Sequence, residues 1–490
     1  MKILFLAAFA CLPVLAATAQ RQLSLSEAIA LARRQSVDAA VALNELKAAY
    51  WEYRTYRADL LPEVNFTATL PSFNKSYNRY QQNDGSYTFV KNNNLGMDGE
   101  LSIDQNVWLT GGKLSLTTSL SYIKQLNGSK QEQYMNVPLS LTFTQPIFGV
   151  NSLKWQRRIA PVRYREAKAD FLSATEEVTR KALTYFFELL LAREQLNIAH
   201  QNLENSEKLY KIAEAKRSIG QISENDRLQL RLSMLKARAA LTDSESELNA
   251  KMFQLRAFLG LSEQEEIEPV LPESVPDVEI RYADALEKAL QNNSFAQNIH
   301  RRKLEADYAV AEAKGNLRSI DLYASVGLTG QDDGLRRVYH SSAWGNNQVV
   351  EVGVKIPILD WGKRRGKVKV AENQRETVRA QIRQEEMDFN QDMFLLVEHF
   401  NNQAMQVRIA NEADSVAQQR YNANVQAFMI GQISTLDLND SQSSKDDARQ
   451  TRISELYNYW NYFYQLRSLT LWDYERNQEL TEDFEQVIKN

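Results

Sequence analysis

Ile219-Gly220-Gln221-Ile222-Ser223 returns as Ile430-Gly431-Gln432-Ile433-Ser434, 211 residues further along the chain. Gln254-Leu255-Arg256 returns as Gln465-Leu466-Arg467, and Pro146-Ile147 as Pro357-Ile358, at the same offset. Three anchors spread over roughly a hundred residues share one register without a gap, which long rigid elements preserve and variable loops do not. The chain therefore reads as two similar halves, and a two-fold internal repeat points to a quasi-symmetric assembly.

The start of the chain sets its compartment. Lys2 supplies a positive charge, Ile3 to Leu15 an apolar stretch and Ala17-Thr18-Ala19 a small-x-small cleavage site, so residues 1–19 read as a secretory signal. The apolar run is too short to span a bilayer, and Ala8-Phe9-Ala10 ahead of Cys11 suits a lipobox poorly. Cleavage after Ala19 removes the only cysteine, leaving no disulfide, thiolate metal site or cysteine nucleophile. The formal charge of −4 loses one more positive group with Lys2, so there is no basic footprint for nucleic acid. Mean hydropathy is −0.47 and no later window holds 18 consecutive apolar residues. Such a chain crosses a membrane only as a β-barrel.

The repeats fall at 20–260 and 282–472, joined by the proline-broken linker 261–281 and followed by a tail at 473–490. Ala28 and Ala285 open matching helical patterns 257 residues apart, so the first repeat carries about 46 extra residues, within about 71–135. Helices dominate. Val178, Ala182, Tyr185, Leu189, Ala192, Leu196, Ala199, Leu203, Ser206, Tyr210 and Ala213 step by four and three, a heptad seam that implies supercoiling against neighbours. The second-half seam is more polar (Gln403, Asp414, Asn424), which predicts weaker packing or a wet face. The 152–218 stretch alone extends ~100 Å as a helix, which predicts a tall bundle or hollow cylinder.

Between the helices lie segments with a two-residue period. Val64, Phe66, Ala68 and Leu70 alternate with polar residues, as do Leu139, Leu141 and Phe143, then Leu322, Ala324, Val326 and Leu328, then Val350, Val352, Val354 and Ile356. With Glu351 and Lys355 on the polar side, these read as a wall with lipid outside and water inside. Four short strands cannot close a pore, and open edges are not tolerated in lipid, so several copies must share one barrel.

At this point the chain resembles the TolC-type outer-membrane efflux protein family over essentially its whole mature length. The resemblance rests on the tandem repeat, the strand-pair-then-long-helix order, the junction prolines Pro146 and Pro357, and the glycine turns Gly220 and Gly431. It implies an α+β membrane protein: a homotrimeric outer-membrane β-barrel of four strands per subunit, continued by a long periplasmic helical barrel. It implies no catalysis and no cofactor. It also implies an exit for small molecules, served by an inner-membrane transporter through a periplasmic adaptor (membrane fusion protein).

The turns Ile219–Ser223 and Ile430–Ser434 would then meet the adaptor; their plain reading is a helix-to-helix turn in which glycine takes the left-handed cap. Asp437 and Asp440 match aspartates that ring the tunnel constriction in the family, and Asp226 matches an acidic gate position. Two aspartates on a helix also read simply as a solvated face. Phe428 stands where the family has a gate tyrosine and Ile433 where it has a gate arginine, so those hydrogen bonds and salt bridges do not carry over. The insertion, with Glu100–Asp104 and Leu114–Tyr122 turning at Gly111-Gly112, is either an external loop extension or two more wall strands per subunit, 18 in a trimer. The extension is the preferred reading.

Other classes are weaker. His200, His300, His340 and His399 are scattered without metal-ligand spacing, and neither Gly111-Gly112 nor Gly362-Lys363 has phosphate-loop spacing. A type I protein secretion conduit shares the same architecture, and a soluble periplasmic coiled-coil scaffold lacks the barrel. The aromatic run from Tyr457 to Tyr464 follows the Ser434 turn by more than twenty residues, which predicts packing between helices.

Overall fold

The computed structural model describes residues 21–127, 131–218, 220–262, 265–272, 275–276, 278–317, 320–340, 348–355, 358–430 and 432–489. The signal sequence, Ile219, Pro357 and Gly431 lie outside the described residues.

The first repeat runs β1 (Arg21–Leu23), α1 (Leu25–Gln35), α2 (Val37–Ala58), β2 (Glu63–Gln81), β3 (Tyr87–Val107), β4 (Gly112–Gln125), β5 (Glu132–Ile147), α3 (Ser152–Ser218) and α4 (Glu224–Leu259). After β6 (Ile267–Pro269) come α5 (Tyr282–Asn292), α6 (Ser294–Leu317), β7 (Ile320–Asp332), a 3-10 turn (Arg337–Tyr339), β8 (Gln348–Lys355), α7 (Lys363–Met429) and α8 (Thr435–Thr470). The tail holds β9 (Trp472–Asp473), β10 (Gln478–Glu479) and α9 (Phe484–Lys489).

The repeat holds residue by residue. Helices α7 and α8 begin and end 211 residues after α3 and α4, and α5 follows α1 by 257. The difference of 46 is absorbed between β2 and β5 by the β3–β4 hairpin. One equivalent position is solved differently in the two halves. Gly260 ends α4 in the left-handed region (φ 67), and its counterpart Leu471 ends α8 there too (φ 48). A side chain in that conformation costs about 1 kcal/mol, which burial of Leu471 at 1 % exposure offsets.

The chain divides into two units. One takes Met1–Leu46, Lys168–Ser294 and Asp388–Asn490. Its core is the predicted seam. Val178, Ala182, Leu189, Ala192, Ala199 and Ala213 are buried on α3, and Met393, Leu396, Phe400, Val407 and Ala410 on α7. Phe400 meets Tyr459 and Phe463 at ring distances of 5.3 and 6.1 Å, so the late aromatics of α8 pack between helices as expected. The polar seam residues depart from expectation. Gln403 and Asp414 are buried, and each has partners: Gln403 donates to the Glu455 carbonyl at 3.0 Å, and Asp414 accepts from Arg449 and Arg452, both at 3.2 Å. Buried polar groups persist where their hydrogen bonds are made, so Gln403 and Asp414 are buried and paired, while Asn424 is half-buried.

The second unit takes Lys47–Ala167 and Phe295–Met387. It holds one six-stranded sheet in the order β2-β3-β4-β5-β7-β8, with every neighbour antiparallel. This corrects the expected loop extension: β3 and β4 are continuous with the sheet. Their turn, with Gly111 at φ 76, is held at the strand–helix junctions by side-chain amides. Asn151 donates to the Trp108 carbonyl at 2.8 Å, Gln145 to Thr110 at 2.9 Å, Gln105 to Leu60 at 3.1 Å and Asn106 to Asp59 at 3.1 Å. The four expected strands are present and longer than read, though Ile356 lies outside the described residues.

Candidate functional site

Two features of the sequence converge on function: the alternating strands and the paired turns. The sheet register sorts the first. Val64 pairs with Ile103, Ile103 with Leu116, Leu116 with Leu141, Leu141 with Val326 and Val326 with Val350, one apolar row across all six strands. The next row pairs Asn65, Ser102, Thr117, Ser140 and Gly327. Because side chains alternate between faces, these rows set an apolar face against a polar one from β2 through β7, including the inserted hairpin; above the register shift between β4 and β5 the phase of β5 reverses, with Val137 and Met135 opposite Ser119 and Ser121.

The apolar face is bare: Phe66 is 72 % exposed, Val64 62 % and Val326 54 %. The polar face is laced. Ser115 donates to Asp104 at 2.5 Å, Lys113 lies 3.3 Å from the same carboxylate, and Thr142 and Ser325 share a hydrogen bond at 3.2 Å. The Tyr323 hydroxyl donates to Glu351 at 2.8 Å, its ring crossing the space a side chain at Gly353 would need.

The turns lie in the other unit. Ser223 and Ser434 cap α4 and α8 with full capping boxes. The Asp226 amide donates to Ser223 Oγ at 3.1 Å and the Asp437 amide to Ser434 Oγ at 3.2 Å. The serine hydroxyls donate back to the carboxylates at 2.6 and 2.7 Å. These bonds hold both carboxyls below the usual carboxylate range. Asp226 and Asp437 thus have a local structural task, satisfying helix-start amides, whatever else they do.

Asp440 is placed differently. It accepts from Arg420 Nη2 at 2.6 Å, and Arg420 also reaches Ser444 at 3.3 Å. In the first repeat, Glu224 accepts from Arg227 Nη2 at 2.5 Å and lies 3.4 Å from Arg217, while Arg227 also donates to the Tyr210 hydroxyl at 3.2 Å. Arg227 holds the Glu224 carboxyl below its ordinary range, and its own pKa rises. Each turn therefore carries its own cation–carboxylate pair, although Ile433 has no charge. Sequence reading missed Arg420 and Arg227. The signal was there: residues at similar distances either side of a helical hairpin turn face one another, and Arg420 and Asp440 flank the Gly431 turn in that way.

The two turns share one cleft of about 610 Å³, lined by Gln221, Ile222, Asp226, Phe428, Ile430, Ile433 and Ser434 among others. The Lys216 ammonium stands 5.7 Å from the Phe428 ring. Asp437 and Asp440 do not line this cleft. Gly220, at φ 79, has open space where a side chain would project, and Ile430 is 71 % exposed. Pro146 sits within β5 opposite Asp321. Among the described residues there is no group of three or more metal-ligating side chains, and no helix is long and apolar enough to cross a membrane.

Two exposed apolar stripes remain. Leu228, Leu232 and Leu235 on α4 are 47–54 % exposed, and Met405, Ile409 and Val416 on α7 are 51–58 % exposed. Both follow helical spacing.

A family model described as outer membrane efflux protein matches residues 112–261 and 285–470. No curated protein sequence matches the chain. Among solved structures, the Campylobacter jejuni CmeC outer membrane channel is similar at TM-score 0.67 and 16% identity, covering 95% of this chain and 88% of that one. The outer membrane protein VceC from Vibrio cholerae is similar at TM-score 0.63 and 15% identity, covering 91% and 95%. The open state of the Neisseria gonorrhoeae MtrE outer membrane channel is similar at TM-score 0.58 and 14% identity, covering 91% and 88%. At these identities the likeness is one of fold.

Proposed function

This chain belongs to the outer membrane efflux protein family, and from that premise we propose that it forms the outer-membrane exit of a tripartite efflux system. Three copies join their sheets into one closed wall, and an inner-membrane pump delivers small molecules to it through a periplasmic adaptor. The observation that carries this reading is the apolar row that crosses all six strands from Val64 to Val350, exposed at Val64 and Val326, beside a polar, hydrogen-bonded row from β2 to β7. Water does not favour a bare apolar face of this extent; lipid accommodates it. A sheet with two open edges must close in a bilayer, and three copies of six strands make 18. Barrel diameter grows about linearly with strand number, so this wall is about half again as wide as one of twelve. The unpartnered stripes on α4 and α7 supply helical surfaces for the neighbouring copies. Exposed turn residues Gly220, Gln221, Ser223, Ile430, Gln432 and Ser434 suit adaptor contact, and the Arg420–Asp440 and Arg227–Glu224 pairs form charged rings at the mouth by threefold repetition.

Native mass spectrometry of the detergent-extracted protein, with planar-bilayer conductance on the same preparation, tests this. A trimer that conducts is expected. A monomer that never conducts, or a dimer whose twelve strands close the wall, refutes the corresponding part.

A further inference from the structure

Above the apolar band the sheet narrows to a two-stranded ribbon. β4 pairs with β3 only from Asn94 onward, so Tyr87–Asn93 have β2 as their ladder partner among the described residues. The register shift between Thr69 and Ser72 moves the odd-numbered residues of upper β2 onto the face that carries Met97, Leu101 and Ile103 on β3. On that face the pairs are Phe73 with Leu95, Lys75 with Asn93, Tyr77 with Lys91, Arg79 with Phe89 and Gln81 with Tyr87. Arg79 also lies over the Tyr87 ring at 4.8 Å.

The result is a strip of three cations interleaved with four aromatic rings. Phe73, Tyr77, Tyr87 and Phe89 are 58–70 % exposed. The opposite face, from Ser72 and Gly96 through Asn74, Asn94, Ser76 and Asn92 to Tyr80 and Thr88, has no charge at all. The ribbon's one acidic residue, Asp84, is in the turn and bonded to Ser86.

Immediately below is a cavity of about 580 Å³ with a largely apolar lining that includes Phe66, Leu70, Met97 and Leu120, with Asp98 its one charged residue and Leu335 and Tyr339 contributed by the segment after β7. Five residue steps from Leu70 to Lys75 cover about 17 Å along the strand, so the cations stand above the cavity.

Resting on the outer-membrane placement proposed above, we propose that this strip and cavity hold a phosphorylated lipid of the outer leaflet. Its acyl chains fill the cavity and its phosphates meet Lys75, Arg79 and Lys91. Charge complementarity fixes the class: three cations without a carboxylate beside them face outward, directly above an apolar pocket. A neutral lipid leaves the cations unused. A soluble polyanion leaves the cavity and the rings unused.

The experiment uses the full-length assembled protein in mild detergent. Retention of bisphosphorylated lipid A and of its phosphate-free counterpart is measured by native mass spectrometry for wild type, for K75Q/R79Q/K91Q and for N74S/N92S on the uncharged face. A cation near an anionic membrane surface strengthens binding roughly fivefold, so the triple variant is expected to lose about 100-fold in affinity. The uncharged-face variant is expected to match wild type, and the phosphate-free lipid to bind wild type only as weakly as the triple variant binds the phosphorylated one.

Equal retention by wild type and triple variant overturns the proposal. So does equal retention of both lipids, or tighter binding of a short single-stranded DNA. Should the triple variant fail to assemble, wild-type retention from about 0.1 to about 0.5 M NaCl decides, since screening must weaken it; salt-independent retention overturns the idea. Bilayer conductance of the same preparation separates the two readings. A conducting protein without phosphate preference defeats this inference alone, and one that never conducts defeats the channel beneath it.

Discussion

Replacing either partner of the Arg420–Asp440 pair should move ion selectivity in opposite directions. Nη2 and Oδ2 lie 2.6 Å apart, but the side chains are 50 % and 63 % exposed, so solvent screens the pair heavily. An exposed pair of this kind contributes about 0.2–1 kcal/mol. If the pair breaks when the mouth opens, three copies sum to about 0.6–3 kcal/mol, roughly a three- to 150-fold change in the closed-to-open ratio. Arg420→Ala leaves three unneutralised carboxylates at the mouth and should raise both open probability and preference for cations. Asp440→Asn leaves three guanidinium groups; it should raise open probability similarly but lower cation preference.

Asp440 is the cleaner acidic probe, because Asp437 also caps α8 and its removal disturbs the helix start. The assay is reversal potential in a KCl gradient across a planar bilayer, with single-channel open probability read from the same traces. At about 1 M salt the screening length falls to about 3 Å and the two variants should converge on wild type. Selectivity shifts of the same sign at low salt, or no shift at all, would show that this pair does not face the conducting path.

The wall predicts an asymmetry between neighbouring positions of the inserted hairpin. Ile103→Arg, on the apolar face, should cost about 2–4 kcal/mol and abolish the heat-resistant oligomer on gels, while Ser102→Arg should assemble normally; equal tolerance would remove β3 from the wall. Phe400→Ala, at 1 % exposure against Tyr459 and Phe463, should destabilise by about 3–5 kcal/mol in urea unfolding followed by tryptophan fluorescence. The caps carry a pH dependence whose sign follows from their depressed carboxyl pKa values. Their stabilisation is fully present above the unfolded carboxylate value near 4 and is lost only as pH falls through the lower folded values. Limited proteolysis at the two turns should therefore be unchanged from neutral pH down to about 4 and accelerate below it. Acceleration already at about pH 6 would contradict the capping assignment.

Much of this protein is legible in one dimension. Helix boundaries, repeat offset and buried seam all follow from local periodicity, because a helix face is set by spacing along the chain alone. The glycine of the first turn was legible for the same reason, and Gly220 takes the left-handed conformation; the serine caps beside it came from the structure. The alternating strands were legible too. The inserted hairpin was not decided in that way. A loop extension and a pair of wall strands have the same alternation, and only the ladder to β2 on one side and β5 on the other distinguishes them.

The charged pairs at the turns escaped for a related reason. Arg420 meets Asp440 only because two antiparallel helices take one particular register, and the partnering of Asp414 by Arg449 and Arg452 likewise depends on which faces α7 and α8 present to each other. Sequence by itself therefore determined the elements, their repetition and the two-faced strands, all short-range consequences of side-chain period. The tertiary structure alone decided the six-stranded sheet, the buried ion pairs of the polar seam and the cation partners of the turns. Those depend on contacts between residues far apart in the chain, whose pairing no local spacing encodes.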